Sequence, residues 1–231
     1  MGQAKNYIWL SYPLNPHTPT YGNSQGIQVK PDKSIANGDS CNTASWYFPG
    51  NHLGTHVDAP RHFFEQGSPV DAFDASFWVF NQICLVETKL LESVKIIEPE
   101  HISSLIKGDP DLLLIRTGLC HKRGSREYWE NNIGLSPTLG KVLKQNFPAL
   151  RAVGIDSISI SSWQNRELGR EAHRSFLDPE DRQPLVLIED MDLTMLTPSS
   201  RVNKVTLLPL RVQGADGAPC TILAEVEQIE K

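Results

Sequence analysis

The chain has 231 residues, 39% hydrophobic and 21% charged, an ordinary globular composition with length enough for one sizeable core or two small ones. A formal net charge of −5 offers no basic surface for nucleic acid, and no apolar run approaches the ~18 residues a membrane helix needs. Cys41, Cys84, Cys120 and Cys220 are scattered without a Cys-x-x-Cys pair, which argues against a disulfide framework or zinc ribbon and for reduced, mostly buried thiols in a cytoplasmic protein.

Met1-Gly2-Gln3-Ala4 is followed by no apolar stretch, so no secretory signal is expected, and Asn6 stands where a myristoylation site wants Ser or Thr. Tyr7-Ile8-Trp9-Leu10 reads as a first strand. Pro13, Pro16 and Pro19 stiffen the next loop, so Tyr12, His17 and Tyr21 either wall a pocket or decorate a surface connection. Residues 23–40 are polar and read as loop, with one strand near residues 27–29. Residues 41–48 are strand-like and end in Trp46-Tyr47-Phe48, expected to pack on the core and alternatively to stack on a flat substrate.

The stretch Asn51-His52-Leu53-Gly54-Thr55-His56-Val57-Asp58-Ala59-Pro60-Arg61-His62 gathers three of the seven histidines around an aspartate. Imidazole and carboxylate at this density suit a borderline divalent metal such as zinc or manganese. In an extended chain His56 and Asp58 share a face. Four residues of regular strand, at ~3.3 Å each, would put His52 about 13 Å from His56. That is awkward for two ligands each ~2 Å from one ion, so the chain should bend, and Gly54 lies where the bend is needed. Gly54, Thr55, Val57 and Pro60 argue against a helix. The segment reads as a bent strand-to-turn element stiffened by Pro60, with His62 just beyond.

Further along, Gly67-Ser68-Pro69 is a turn and residues 79–87 read as a buried strand. Pro99 opens a short amphipathic helix with His101 on its surface. The apolar run at 111–118, ending in Thr117-Gly118, is typical of a strand buried on both faces. Ser136-Pro137 caps and opens a helix over residues 138–146. Residues 152–160 read as another core strand, with Asp156 either orienting a ligand or exposed at the strand end. A helix over 167–176 carries His173, residues 178–181 turn, and a strand over 184–190 ends in Glu189-Asp190. Asp192 should start one more short helix, and strands over 204–212 and 220–226 form a hairpin through Gly214-Ala215-Asp216-Gly217. With no repeat, low-complexity segment or linker, residues 1–231 read as a single domain.

The His-x-Gly-Thr-His-x-Asp-x-Pro-x-His pattern resembles the metal-binding motif of the cyclase family of metal-dependent hydrolases, which includes kynurenine formamidases and isatin hydrolases. The resemblance continues through Leu114-Ile115-Arg116-Thr117-Gly118, Tyr128-Trp129, Gly134-Leu135-Ser136-Pro137, Val153-Gly154-Ile155-Asp156 and Gly214-Ala215-Asp216-Gly217. Leu10-Ser11-Tyr12-Pro13-Leu14 is similar to a family segment that contributes to the substrate pocket. The resemblance implies an α/β single domain of the swivelling β/β/α type, a mixed sheet with flanking helices, often in a homo-oligomer (dimer or tetramer). It implies that His173, near a helix start, and Glu189, at the end of the following strand, join His52, His56 and Asp58. The pair would complete a second ion bridged by Asp58, or surround a single one. The family often continues Gly-Ile-Asp with Thr-Pro-Ser-Ile-Asp; here it is Ser157-Ile158-Ser159-Ile160-Ser161, without that aspartate. The His173-to-Glu189 gap is also longer than in compact formamidases. Both departures bear on the substrate more than on the chemistry.

The expected activity is metal-dependent hydrolysis of a carbon–nitrogen amide bond in a small molecule, with one or two Zn²⁺ or Mn²⁺ ions and His62 as proton shuttle. Aryl formamides such as N-formylkynurenine come first and cyclic amides or imides second. A metal-dependent cyclase or dehydratase, and a binding protein with a structural ion, are the alternatives.

Overall fold

The computed structural model describes residues 6–88, 95–180 and 184–227. Its first half runs β1 (Asn6–Trp9), β2 (Gln28–Lys33), β3 (Thr43–Tyr47), β4 (His56–Asp58), β5 (Val79–Phe80), β6 (Ile83–Glu87), β7 (Ile96–Ile97), α1 (Pro99–Ile102) and β8 (Leu112–Arg116). Then come α2 (Arg126–Glu130), β9 (Gly134–Leu135), α3 (Pro137–Asn146), β10 (Ala152–Ile155), α4 (Arg166–Leu177), β11 (Val186–Glu189), β12 (Val202–Pro209) and β13 (Gly217–Val226). Among the described residues nine strands build one mixed sheet, β5-β12-β13-β4-β11-β10-β8-β6, with β1 also beside β13. β6, β8, β10 and β11 are parallel, while β4 runs antiparallel between β11 and β13. Helices flank this sheet, as expected of the α/β class. Among the described residues no helix is long and apolar enough to cross a membrane.

The apolar run in β8 explains its central place. Leu112 and Leu114 pack into one core with Val57, Ile188 and Ile222, and Leu113 and Ile115 into another with Leu139 and Phe176. Both faces are therefore covered, which is what a continuous rather than alternating apolar strand requires. The second core carries α3 and α4. Pro137 at the start of α3 needs no partner for a missing N–H, and the Ser136 hydroxyl accepts the Leu139 N–H at 3.1 Å.

The same alternation positions the site. Val57 of β4 enters the first core, so His56 and Asp58 project to the opposite face. Ile188 of β11 does likewise, which sends Leu187 and Glu189 to that opposite face too. The antiparallel register sets His56 beside Glu189 and Asp58 beside Leu187. On the other flank Asp58 pairs with Gly217 of β13. A Cβ at Gly217 would stand 2.6 Å from the His52 ring and 2.9 Å from the Val57 carbonyl, so this close approach needs glycine.

Several expectations are corrected. Residues 79–87 form two strands, not one. The Asn81 and Gln82 N–H groups both donate to the Asp111 carboxylate at 3.0 Å, and this polar tether turns the chain from antiparallel pairing with β12 to parallel pairing with β8. The strand expected over 152–160 stops at Ile155, because Asp156 accepts the Thr117 and Gly118 N–H groups instead of extending the ladder. Asp192 opens no helix. Its carboxylate accepts both the N–H and the hydroxyl of Thr194, a local turn that competes with helix formation. Trp46, Tyr47 and Phe48 are 47%, 54% and 44% exposed at the end of the two-stranded β2–β3 hairpin, so they neither pack on the core nor wall the cleft described below. The readings on residues 1–5 and on Asp181 in the 178–181 turn lie outside the described residues.

Candidate metal centre and cleft

Gly54 makes the expected bend, with φ at +58°. Thr55 pins it, donating its hydroxyl to the Asp190 carbonyl at 2.6 Å and accepting the Tyr12 N–H at 3.0 Å. Pro60 then opens a short 3-10 turn, Pro60–His62, that brings His62 back over the bend. His56 Nδ1 lies 2.8 Å from the Gly54 carbonyl and His173 Nδ1 2.8 Å from the Gly169 carbonyl. Each Nδ1–H therefore donates to a main-chain oxygen, which presents Nε2 to whatever stands opposite.

Two carboxylates stand opposite. His56 Nε2 is 3.4 Å from Asp58 Oδ1 and 3.4 Å from Glu189 Oε2. His173 Nε2 is 3.4 Å from Asp58 Oδ2 and 3.4 Å from Glu189 Oε1. All four side chains are buried. Charge-assisted hydrogen bonds are shorter, ~2.7–2.9 Å, whereas donors ~2.0–2.1 Å from one tetrahedral ion stand ~3.4 Å apart. Buried His56 Nε2 and Asp58 Oδ2 have no hydrogen-bond partner among the described residues. An unmet buried polar atom costs about 1–3 kcal/mol, and a divalent cation would meet both needs. The donor set thus fits such an ion.

His52 stands differently. Its Nδ1 is 2.7 Å from Asp58 Oδ1 and its Nε2 is 3.0 Å from Asp216 Oδ2. The donor atoms form three overlapping groups among the described residues, His52–His56–Asp58, Asp58–His173–Glu189 and His52–His62–Asp216, with Asp58 common to the first two. All five expected ligands are therefore brought together, with His52 bonded to carboxylates at both ring nitrogens. His62 joins through Asp216, whose Oδ2 lies 3.0 Å from His62 Nδ1 and whose Oδ1 accepts from Asn51 at 2.8 Å. Asp216 was not among the sequence candidates. Its segment, Gly214-Ala215-Asp216-Gly217, carried family resemblance, but turn chemistry accounted for it equally well.

A second set missed by sequence reasoning braces the residue after Glu189. Asp190 has φ at +52°, a left-handed backbone that costs a non-glycine residue about 1–2 kcal/mol. Arg123 holds its carboxylate with two bonds of 2.8 and 2.7 Å, and the buried Tyr128 hydroxyl donates to it as well. Glu189 itself accepts from the Ile160 N–H at 2.7 Å and the Ser159 hydroxyl at 3.1 Å. Asp156 is buried, not exposed, and among the described residues its carboxylate bonds the turn at Thr117, Gly118 and Cys120 and none of the candidate ligands.

Burial opposes charge on His56 and His173, but the facing carboxylates of Asp58 and Glu189 outweigh it and raise both pKa values, that of His173 to about 10. His52 is likewise raised to about 10 against its burial, by Asp58 and Asp216. Burial alone would raise the carboxylates, yet the histidines hold Asp58 well below its usual range and Glu189 at about 2. His62 moves the other way, its pKa lowered mainly by burial, so it is neutral at pH 7. A cation has to displace the protons on the raised histidines. Its apparent affinity is therefore expected to rise with pH up to about 10, with proton release on binding. Calorimetry in buffers of different ionisation enthalpy reads this directly; a flat pH dependence without proton release would contradict it.

The centre floors a cleft of about 350 Å³ whose walls include Pro19, Tyr21, Phe63, Ile158, Arg166 and Arg170. The proline-stiffened loop thus contributes Tyr21. Tyr12 instead lies under the Arg123 guanidinium, 3.8 Å from its ring centre, and His17 is exposed away from this cleft.

Residues 8–162 match the model of the family described as "Putative cyclase", a span that includes the 52–62 motif and stops short of His173, Glu189 and Asp216. Cyclase-like protein 2 of Arabidopsis thaliana is 29% identical over 227 residues, 94% of this chain and 78% of that protein. Isatin hydrolase A from Labrenzia aggregata, solved with benzyl benzoate, superposes with a TM-score of 0.79 at 17% identity, over 97% of this chain and 94% of that one. A structure described as a potential metal-dependent hydrolase with cyclase activity gives 0.74 at 20% identity, over 98% and 100%. At these identities the structural likeness establishes the shared fold.

Proposed function

The chain belongs to the cyclase family, and from this premise we propose that it is a metal-dependent hydrolase that cleaves a carbon–nitrogen amide bond in a small molecule. The observation that carries the reading is the buried cage in which His56 Nε2 and Asp58 Oδ2 lack partners while the surrounding donors stand 3.4 Å apart. One or two divalent ions, Zn²⁺ or Mn²⁺, held by His56, Asp58, His173 and Glu189 with His52 beside them, would polarise the amide carbonyl and acidify a water molecule.

The chain's own part is proton transfer and placement. His62 donates Nδ1–H to Asp216, which leaves Nε2 as the ring's acceptor. That nitrogen takes a proton from the attacking water and returns it to the leaving nitrogen as the carbon–nitrogen bond breaks. Asp216 holds the tautomer and steadies the imidazolium between the two transfers. Tyr21 and Phe63 offer aromatic surface to a planar substrate. Aryl formamides such as N-formylkynurenine are the leading class. Cyclic amides or imides are the second, favoured by the likeness to isatin hydrolase A. The exposed Trp46, Tyr47 and Phe48 support a homo-oligomer, dimer or tetramer, which light scattering on the purified chain would decide.

The test is metal analysis of the purified protein with a formamide, imide and lactone panel. Strong chelation should abolish turnover, and Zn²⁺ or Mn²⁺ should restore it. Full activity in a verified metal-free sample would sink the proposal. Products formed in ¹⁸O-labelled water separate hydrolysis, which incorporates the label, from cyclase or dehydratase chemistry, which consumes no water.

A further inference from the structure

α4 brings more than His173 to the cleft. Arg166, Arg170 and His173 are spaced i, i+4 and i+7, one stripe of a helix, and all three line the same cavity. At ~1.5 Å rise per residue, the two arginine backbones sit ~5 and ~10 Å along the axis from His173. The helix is pressed onto the cleft's loop: a Cβ on Gly169 would stand 2.1 Å from Ser161 Oγ.

Helix stability does not explain these arginines. Arg166 is the first residue of α4, where the helix dipole disfavours a cation. Among the described residues Arg166 has no carboxylate within 4.0 Å, and Arg170 meets only the exposed Glu167 at 3.9 Å, a contact worth little. Arg166 is instead steadied over the Trp163 ring, 5.0 Å from its centre. The cleft that holds the carboxylates of Asp58 and Glu189 is thus also lined by these two arginines.

We propose that the substrate carries a carboxylate one to two helical turns from the bond that is cut, and that Arg166 and Arg170 receive it. A guanidinium presents parallel N–H donors that match a carboxylate, and two of them one turn apart suit a single oxyanion reached from the metal centre. The proposal rests on the hydrolase reading for the cut bond but not for the anion site.

Binding of benzoate and of benzamide to the metal-loaded protein tests the anion site without turnover. Benzoate should bind about tenfold more tightly than benzamide, the scale of one charge-assisted hydrogen bond, and the preference should shrink as salt is added. A carboxylate also ligates a divalent ion, so the metal supplies part of the preference; the arginine share should be lost in R166Q/R170Q and partly return in R166K/R170K. Turnover is read with 4-formamidobenzoate and its methyl ester. The double glutamine variant should raise KM for the acid about tenfold and for the ester much less. A benzoate preference that is the same in R166Q/R170Q and wild type overturns the proposal, as does an equal KM for acid and ester in the wild type. If neither formamide is hydrolysed while the arginine-dependent preference persists, the hydrolase reading fails and the anion site stands.

Discussion

Replacing Asp58 with alanine is expected to remove bound metal and turnover together. Asp58 is the one residue common to both donor groups of the cage, 2.7 Å from His52 and 3.4 Å from each of His56 and His173. Partners that merely orient ligands are worth ~10–100-fold in metal affinity, and a shared ligand should exceed that. The metal-free fold should weaken too, since removing one member of a buried charge set costs about 3–5 kcal/mol. Asp58→Asn keeps the shape and loses the charge, so it separates the two effects. It should fold, as judged by circular dichroism, and still hold less than a tenth of the wild-type metal at limiting concentration, in line with the same loss of affinity. Wild-type stoichiometry and activity in either variant would show that the cage is not the metal centre.

His62→Ala should lower kcat by about 10²–10⁴, the usual worth of general acid–base catalysis, while metal content is kept. His62 bonds Asp216 and its ring centre lies 4.0 Å from that of His52, and it belongs to neither donor group that contains Asp58. Because burial lowers its pKa, the acid limb of the pH profile should lie below the ordinary histidine value of 6.5 and disappear in the variant. The sign follows from its role: a base works when deprotonated, so activity is lost as pH falls through that pKa. Metal lost in proportion to activity would make His62 a ligand instead. Asp216→Asn should reproduce part of the kcat loss and disturb His52 as well, because one carboxylate oxygen serves both rings.

The parts legible in the sequence were those with local causes. The bend at Gly54 followed from ligand spacing along the chain, and β8 from an apolar run that leaves no polar face. His173 and Glu189 had no such local signature. A histidine on a helix and a carboxylate at a strand end are individually unremarkable, and the β4–β11 register that sets Glu189 beside His56 is not written in either segment. Asp216 was hidden for the same reason, its partners being fixed by the pairing of Asp58 with Gly217. Where periodicity misled, a side chain had captured backbone donors: Asp111 splitting residues 79–87, Asp156 ending β10, and Asp192 closing a turn in place of a helix.

The placement of β4 between β11 and β13 also governs how the protein is made. His52 and His62 meet Asp216 across 164 and 154 positions of chain. At ~5–20 residues per second, translation of that interval takes ~8–30 s. Contacts of such span form late, because their loop-closure entropy must be met before they contribute. Until β11 emerges, late in that interval, the histidine-rich segment has neither of its sheet neighbours, and its imidazoles and carboxylate are open to ions in non-native combinations. β11 brings Glu189 to the cage and the last hairpin then sets Asp216 against His52, so the full ligand set takes its shape at the end of folding.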